Sequence, residues 1–299
     1  MISGPSVSAR LRADPEMFAR CLDCIPFGFQ HALSTLEHFS DASLLSLAEK
    51  YDGGDYFVAA GAPSPDTGFY AVPHGTQTPR EALQNLESGN YRVLMKRPER
   101  HDRRFRDLLD ALFGDVLAMR RELESERIVR LDSSILVSAS AAITPFHFDP
   151  EISFFFQIEG EKTYHLYEPG VMSEAELERF YVKGIVNIGE AALADRPRAA
   201  EHIFALGPGK GLHQPKNAPH WVETHASRSV SYAFSFETER TRALGRTRSF
   251  NRYLRAMGAS PALPGTHPTR DALKATAMQL VTPLRKGLAA QMRRTRVSS

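Results

Sequence analysis

One short stretch of the chain, TPFHFDPEISFFFQIEGEKTYHLYEP, carries polar groups at spacings that suit metal chemistry. His147 and Asp149 stand two residues apart, and Lys162 follows fifteen residues after the histidine. Residues i and i+2 of a strand point to the same face, so His147 and Asp149 converge on one point. An imidazole nitrogen and a carboxylate oxygen suit a borderline divalent metal. The pair therefore predicts two ligands of a metal site.

A third ligand is expected from the segment HQPKNAPHWVETH, residues 213–225. His220 stands at the end of its proline-rich turn, where a new strand begins, and is placed to complete a triad. His213, seven residues earlier, is the alternative third ligand. Two histidines and one carboxylate leave three open positions on an octahedral metal, which is the arrangement of the non-haem Fe(II) oxygenases.

Lys162 adds a different kind of group to the same stretch. The compact turn EGE joins its strand to ISFFFQI, so we expect these two strands to pair and the lysine to face the metal ligands. A buried lysine needs an anion. Glu161 or Glu168 would supply it in an ordinary salt bridge, whereas a dicarboxylic co-substrate would supply it in a functional site. Thr144 offers that carboxylate a hydroxyl donor, and Arg228, near the last strand, is a rival cation.

Three separated motifs of this region agree in order and spacing with one protein family. The motifs are T-x-x-H-x-D, Q-x-x-G-x-K and P-x-x-x-x-H-x-x-E. They fall on Thr144, His147 and Asp149; on Gln157, Gly160 and Lys162; and on Pro215, His220 and Glu223. Residues 131–237 thus resemble the JmjC and cupin-like 2-oxoglutarate oxygenases, especially the asparaginyl-hydroxylase-like branch.

The resemblance implies a double-stranded β-helix barrel of the cupin or jelly-roll type that binds Fe(II), 2-oxoglutarate and O2. It assigns the iron to His147, Asp149 and His220. It assigns the distal carboxylate of 2-oxoglutarate to Lys162 and Thr144, while Tyr164 either hydrogen-bonds the co-substrate or packs. The implied enzyme is a dioxygenase that releases succinate and CO2 and hydroxylates a protein or peptide side chain or a small molecule. Hydroxylation and demethylation both stay open.

Two alternatives come from other functional classes. A metal cupin dioxygenase without a co-substrate would use the same triad, but it has no use for a cation near the metal. A JmjC-like regulator with a silent barrel would bind nucleic acid through a basic tail. The intact ligand set argues against a silent site, so we rank the oxygenase first.

The elements that position these groups change in character along the chain. Residues 131–237 contain short β segments separated by turns, which indicate a sandwich or barrel and form the predicted catalytic core. Residues 1–130 form an N-terminal α/β flanking region, and residues 238–299 form a basic helical region. The predicted fold is therefore mainly β with flanking helices.

Local signals predict several of the flanking elements. Thr78 and Glu81 form a capping box that begins a helix over residues 78–90. Apolar residues at helical spacing predict a helix over 105–123, and a further helix is predicted over 173–183, between strands. The branched and aromatic segment YRVLMK predicts a strand.

The composition is that of an ordinary globular protein, with 42% hydrophobic and 24% charged residues. No run of eighteen apolar residues occurs, so we expect no membrane span. The first residues lack the apolar core of a signal peptide, and two cysteines cannot form a disulfide framework. Together these features predict a cytoplasmic protein.

Charge is unevenly distributed along the chain. The tail, residues 240–299, carries thirteen Lys or Arg against one acid, although the whole chain has a net charge of only +2. Such a tail indicates contact with nucleic acid, a solvated helical face, or docking on the protein's own acidic residues. The last two are favoured because no base-reading motif is present. By analogy with the asparaginyl-hydroxylase branch, the C-terminal helices would form a homodimer interface.

Overall fold

The computed structural model describes residues 11–61, 63–183 and 188–281. The chain divides into two compact units. The larger unit takes its described residues from Met1–Val171 and Ile188–Phe236, and the smaller one from Met172–Asn187 and Glu237–Ser299. The division into three regions at residues 130 and 237 stays a prediction.

The strands of the described residues form two antiparallel sheets. They are β1 Phe27–Gln30, β2 Tyr56–Ala60, β3 Tyr91–Lys96, β4 Ile128–Ser138, β5 Ile143–Phe148, β6 Ile152–Glu159, β7 Lys162–Tyr167, β8 Gly189–Glu190, β9 Glu201–Leu206, β10 Lys210–Gln214, β11 Pro219–Thr224 and β12 Ser229–Thr238. One sheet has the order β1-β10-β6-β12-β4-β3-β2, and the other has the order β8-β5-β11-β7-β9. From β4 to β12 the chain passes repeatedly between the two sheets, which is the predicted jelly-roll arrangement.

Helices occur before, between and after the strands along the chain. They are α1 Pro15–Cys21, α2 Asp41–Ala48, α3 Pro79–Gln84, α4 Arg103–Met119, α5 Glu174–Val182, α6 Glu239–Ala256 and a last helix over 268–281. The capping box of Thr78 and Glu81 is confirmed, although α3 ends earlier than predicted and turns follow it. No helix of the described ranges is long and apolar enough to cross a membrane.

The largest apolar core lies on one face of the seven-stranded sheet. The predicted stripe of α4 is buried there together with alternate residues of β3, such as Val93 and Met95. Side chains alternate along a strand, so Arg92 and Lys96 of β3 take the opposite face, toward the other sheet. This polar face of β3 places a basic strand beside the interior of the barrel.

A smaller apolar cluster lies between the sheets, where Phe155 of β6 packs with Tyr164 of β7 and Val222 of β11. The expected pairing of β6 with β7 is wrong, because the two strands lie in different sheets. Strand β6 already has β10 on one side and β12 on the other, so both of its edges are occupied. The EGE turn is therefore a corner between the sheets and not a hairpin.

The Q-x-x-G-x-K motif builds this corner. Gly160 has a φ of +71°, and a Cβ there would lie 2.2 Å from the carbonyl oxygen of Arg228, so only glycine fits. The amide of Gln157 donates to the carbonyl oxygens of Glu159, at 2.7 Å, and of Gly160, at 3.2 Å. The motif thus turns the chain from one sheet to the other immediately before Lys162.

The smaller unit pairs many of its basic side chains internally. Arg248 binds Glu174 at 2.9 Å, and Arg255 binds the buried Glu178 at 3.0 Å. Part of the predicted basic tail is therefore engaged with acids of the same unit. Residues 282–299, which carry five of the thirteen basic side chains, lie outside the described residues. Nucleic-acid contact and a homodimer through these helices stay predictions.

Candidate metal centre

His147, Asp149 and His220 lie together between the two sheets. His147 of β5 lies directly opposite His220 of β11, with their ring centroids 4.1 Å apart. Asp149 follows the end of β5, and its Oδ2 lies 3.9 Å from Nε2 of His220. One ligand atom from each of the three lies within 4.8 Å of the others, and no second group of this kind occurs in the described residues.

Backbone carbonyls fix the protonated nitrogen of both histidines. Nδ1 of His147 lies 2.7 Å from the carbonyl oxygen of Pro145, and Nδ1 of His220 lies 3.1 Å from that of Ala218. A carbonyl oxygen can only accept, so each Nδ1 carries the proton and donates it. The Nε2 atom of each ring therefore keeps its lone pair for a metal.

Burial keeps both imidazoles neutral. It lowers the pKa of His147, against the opposing charge of Asp149, and lowers the pKa of His220 well below its ordinary value. Neutral imidazole is the form that binds metals. Two such rings and one carboxylate are a donor set that fits Fe(II) and other borderline divalent ions.

A hydrogen-bond chain orients the carboxylate of Asp149. Gln214 donates from Nε2 to Oδ2 of Asp149 at 3.1 Å, and its Oε1 accepts from the hydroxyl of Tyr164 at 2.8 Å. The ring of Tyr164 also stacks on His220, with centroids 5.1 Å apart. Tyr164 therefore helps to position two of the three candidate ligands, Asp149 and His220. Its hydroxyl proton is donated to Gln214. Gln214 itself was not predicted, because a glutamine beside a histidine carries no ligand signal.

We expect Gln214→Leu to weaken metal binding by about 10- to 100-fold, because Asp149 loses the donor that orients its carboxylate. Tyr164→Phe removes only the outer bond of the chain, so its effect is expected to be smaller. Calorimetric titration with Co(II) measures both effects. Gln84→Leu, at an exposed position of α3, is the control and leaves the affinity unchanged. Wild-type affinity in Gln214→Leu would show that Asp149 needs no such support.

Lys162 is buried on the interior face of β7. It lies opposite Thr224 of β11, only 1% of its surface is exposed, and its Nζ lies 5.6 Å from the ring centroid of Phe155. Burial, and then the charge of Arg92, lower the pKa of Lys162 to about 7. The fold thus holds this amine where its charged form is disfavoured unless an anion joins it.

The local acids that would explain Lys162 as a salt bridge face elsewhere. Glu161 lies 3.8 Å from His225, and Glu168 lies 3.2 Å from His202. No hydrogen bond or ion pair of Lys162 occurs in the part of the chain that the structure describes, and no acid contributes to its pKa. A salt bridge with a local acid therefore does not account for the burial of Lys162.

Thr144 shares this interior face through an irregularity in the pairing of β5 with β11. His147 lies opposite His220, whereas Thr144 lies opposite Val222, so the register shifts between them. Residues directly opposite each other share a face, which places Thr144 and His147 on the same side although they are three apart. In a regular strand this odd spacing would separate them.

The two rival candidates are engaged in other contacts. His213 lies on β10 of the seven-stranded sheet, and its Nε2 accepts from the backbone N–H of Asp23 at 3.0 Å, while its Nδ1 lies 3.1 Å from the carbonyl oxygen of Ser153. Both nitrogens are thus occupied, and His213 has no lone pair for a metal. Arg228 pairs at the surface with Glu159 and Asp41, so it does not enter the barrel.

Arg92 is a further interior residue that was not predicted from the sequence. Only 7% of its surface is exposed, and its guanidinium donates to the carbonyl oxygen of Ile143. Burial lowers the pKa of Arg92 to about 10, and its charge lowers the pKa values of both His147 and Lys162. The alternation of YRVLMK contained the signal, but that strand was assigned to the flanking region.

Comparisons with known proteins place the fold. No protein-family model and no curated protein matches the chain. An X-ray structure of Escherichia coli YcfD is similar, with a TM-score of 0.52 and 19% identity over 92% of this chain and 68% of that one. A second structure is that of YcfD, a ribosomal oxygenase from the same organism, in complex with cobalt and 2-oxoglutarate. It has a TM-score of 0.51 and 18% identity, again over 92% of this chain and 68% of that one.

The complex of that protein with cobalt and succinic acid gives a TM-score of 0.50 at 19% identity, again over 92% of this chain and 68% of that one. At such identities the likeness concerns the fold. Together with the sheet topology, it confirms a mainly β, jelly-roll protein with flanking helices.

Proposed function

We propose that this protein is an Fe(II)- and 2-oxoglutarate-dependent oxygenase that hydroxylates a C–H bond and releases succinate and CO2. The supporting observation is a barrel interior that combines two neutral histidines and a carboxylate with a buried lysine that has no protein anion. The solved YcfD structures of similar fold bind cobalt with 2-oxoglutarate or with succinic acid, in line with this chemistry.

The metal is assigned to His147, Asp149 and His220 through two Nε2 atoms and one carboxylate oxygen. Bound iron would supply the oxidising power, with O2 and the co-substrate, that breaks the C–H bond. The protein's own contribution is to hold the ligands still. Gln214 and Tyr164 fix the carboxylate, and the ring of Phe69 packs against that of His147, with their centroids 4.6 Å apart.

The co-substrate is assigned to Lys162 and Thr144, which share the interior face with the ligands. A carboxylate beside Lys162 favours the charged form of its amine. Binding of the co-substrate therefore raises the pKa of Lys162, which burial had lowered. The hydroxyl of Thr144 donates to the same carboxylate. Because the interior of the barrel has a lower dielectric constant than water, the bonds from Lys162 and Thr144 to the carboxylate are stronger there than they would be in water.

The motifs, and not the fold alone, support the substrate class that we propose. The order T-x-x-H-x-D, Q-x-x-G-x-K and P-x-x-x-x-H-x-x-E favours the asparaginyl-hydroxylase-like branch. We therefore propose hydroxylation of a protein or peptide side chain, with a small molecule as the second choice, in a cytoplasmic setting.

Succinate release from 2-oxoglutarate by protein loaded anaerobically with Fe(II) tests the proposal. Many enzymes of this class turn over slowly without their substrate, so the substrate need not be known. We expect succinate to depend on both Fe(II) and O2, and 2-oxobutyrate, which lacks the distal carboxylate, to be a poor replacement. The proposal is overturned if no succinate forms and calorimetry detects no 2-oxoglutarate binding to the Co(II)-loaded protein.

A further inference from the structure

Two buried basic side chains enter the barrel from facing sheets. Arg92 comes from β3 of the seven-stranded sheet, and Lys162 comes from β7 of the five-stranded sheet. They are 7% and 1% exposed. Enclosing two like charges is unfavourable unless a partner of opposite charge accompanies them.

Neither cation has such a partner in the described residues. The guanidinium of Arg92 donates to the carbonyl oxygen of Ile143, which satisfies one of its five N–H groups. The pKa of Arg92 is lowered by burial alone, and no acid offsets this, as none does for Lys162. Among the described residues, Arg92 and Lys162 thus place two positive charges in the barrel interior without an acid beside either of them.

The two cations lie at the same end of β5. Arg92 binds the carbonyl of Ile143, the residue before Thr144. Lys162 lies opposite Thr224, whose backbone N–H donates to the carbonyl oxygen of Ala142 at 2.8 Å. Arg92 and Lys162 thus meet beside the first residues of β5, whereas His147 and Asp149 lie at its other end.

We infer that Arg92 is a second cation of the co-substrate site and binds, together with Lys162, the distal carboxylate of a dicarboxylic 2-oxo acid. The inference rests on the proposed function and adds a residue to it. A guanidinium offers parallel N–H donors that match a carboxylate, whereas an ammonium acts as a point charge. One carboxylate between two such groups leaves neither cation unpaired. The site then selects dicarboxylates over monocarboxylates more strongly than Lys162 alone.

Arg92→Gln tests this role, because it removes the charge and keeps a polar side chain with N–H donors. Co(II)-loaded protein is titrated in a calorimeter with 2-oxoglutarate and with 2-oxobutyrate. We expect the affinity for 2-oxoglutarate to fall by about 10- to 100-fold, and that for 2-oxobutyrate to stay nearly the same. Arg92→Lys, which keeps the charge, is expected to retain more of the affinity than Arg92→Gln.

Arg196→Gln is the matched control. Arg196 is also a buried arginine that donates to a backbone carbonyl, that of Val171 at 2.8 Å, and its loss is expected to leave both affinities unchanged. The inference is overturned if Arg92→Gln leaves the ratio of the two affinities at the wild-type value, whether or not the thermal midpoint falls. If the wild type binds neither acid, the proposed function itself is wrong, which is a different result. If Arg92→Gln does not fold, the same ratio measured in Arg92→Met, which also lacks the charge, decides: a wild-type ratio there overturns the inference.

Discussion

Asp149→Ala is expected to abolish succinate formation from 2-oxoglutarate and to weaken metal binding by more than about 100-fold. Loss of a residue that only supports a ligand already costs about 10- to 100-fold, so loss of the ligand itself costs more. Asp149 is the one carboxylate of the candidate set, and its removal leaves two neutral imidazoles that hold a divalent cation poorly. Co(II) titration and the succinate assay measure the two effects separately.

The design of this experiment separates the metal site from general damage to the fold. Asp66→Ala removes an exposed carboxylate of the same size and is expected to behave like wild type. His220→Ala is expected to match Asp149→Ala, and the double variant to be no worse than either, because the three ligands act as one unit. Full metal binding by Asp149→Ala would mean that the ligand set is wrong.

The fold could be predicted well where local patterns decide it. The stripe of α4 and the short β segments after residue 131 follow from periodicity, which depends only on neighbouring residues. Sheet membership does not follow from periodicity. The turn at Gly160 has the length of a hairpin, but β6 is already paired on both edges, so the chain crosses to the other sheet. A single sequence does not reveal that β10 and β12 occupy both edges of β6, which leaves no edge for β7.

The residues of the candidate site also fall into those that local spacing predicts and those that only the tertiary fold brings to the site. His147, Asp149 and Lys162 carry their signal in residue type and local spacing, so sequence reasoning found them. Thr144 points to the interior face of β5 only because of a register shift between β5 and β11. No spacing rule along one strand reveals such a shift. Arg92 and Gln214 reach the site because distant strands meet across the barrel. Arg92 stands fifty-five residues before His147, and only the tertiary fold brings its charge to bear on that ring.

Lys162→Met is expected to stabilise the ligand-free protein at neutral pH and to remove most of its affinity for 2-oxoglutarate. The pKa of Lys162 is lowered from 10.5 to about 7 in the folded state. Between these pH values the unfolded chain holds a proton that the folded chain has lost, so the free energy of unfolding rises with pH. Below about pH 7 the folded state bears the whole penalty, which amounts to a few kcal/mol because each pKa unit corresponds to about 1.4 kcal/mol.

Methionine fills the same space without a charge, so the variant avoids the penalty and loses this part of the pH dependence. Urea unfolding of both proteins from pH 7 to pH 9, with and without 2-oxoglutarate and Co(II), measures the effect. We expect the stability difference to shrink as pH rises, and 2-oxoglutarate, added to the Co(II)-loaded proteins, to stabilise wild type alone. Lys210→Met, at an exposed position of β10, is the control and changes stability by no more than about 0.5 kcal/mol.

A less stable Lys162→Met protein, with the pH dependence of wild type, would show that the lysine is held by the fold for its packing. A more stable variant that no longer binds 2-oxoglutarate would have the opposite meaning. A buried cation that weakens the empty protein is typical of a binding site, since functional sites are commonly kept at a cost in stability. The sign of this one stability change therefore separates a structural lysine from a binding residue, without any knowledge of the substrate.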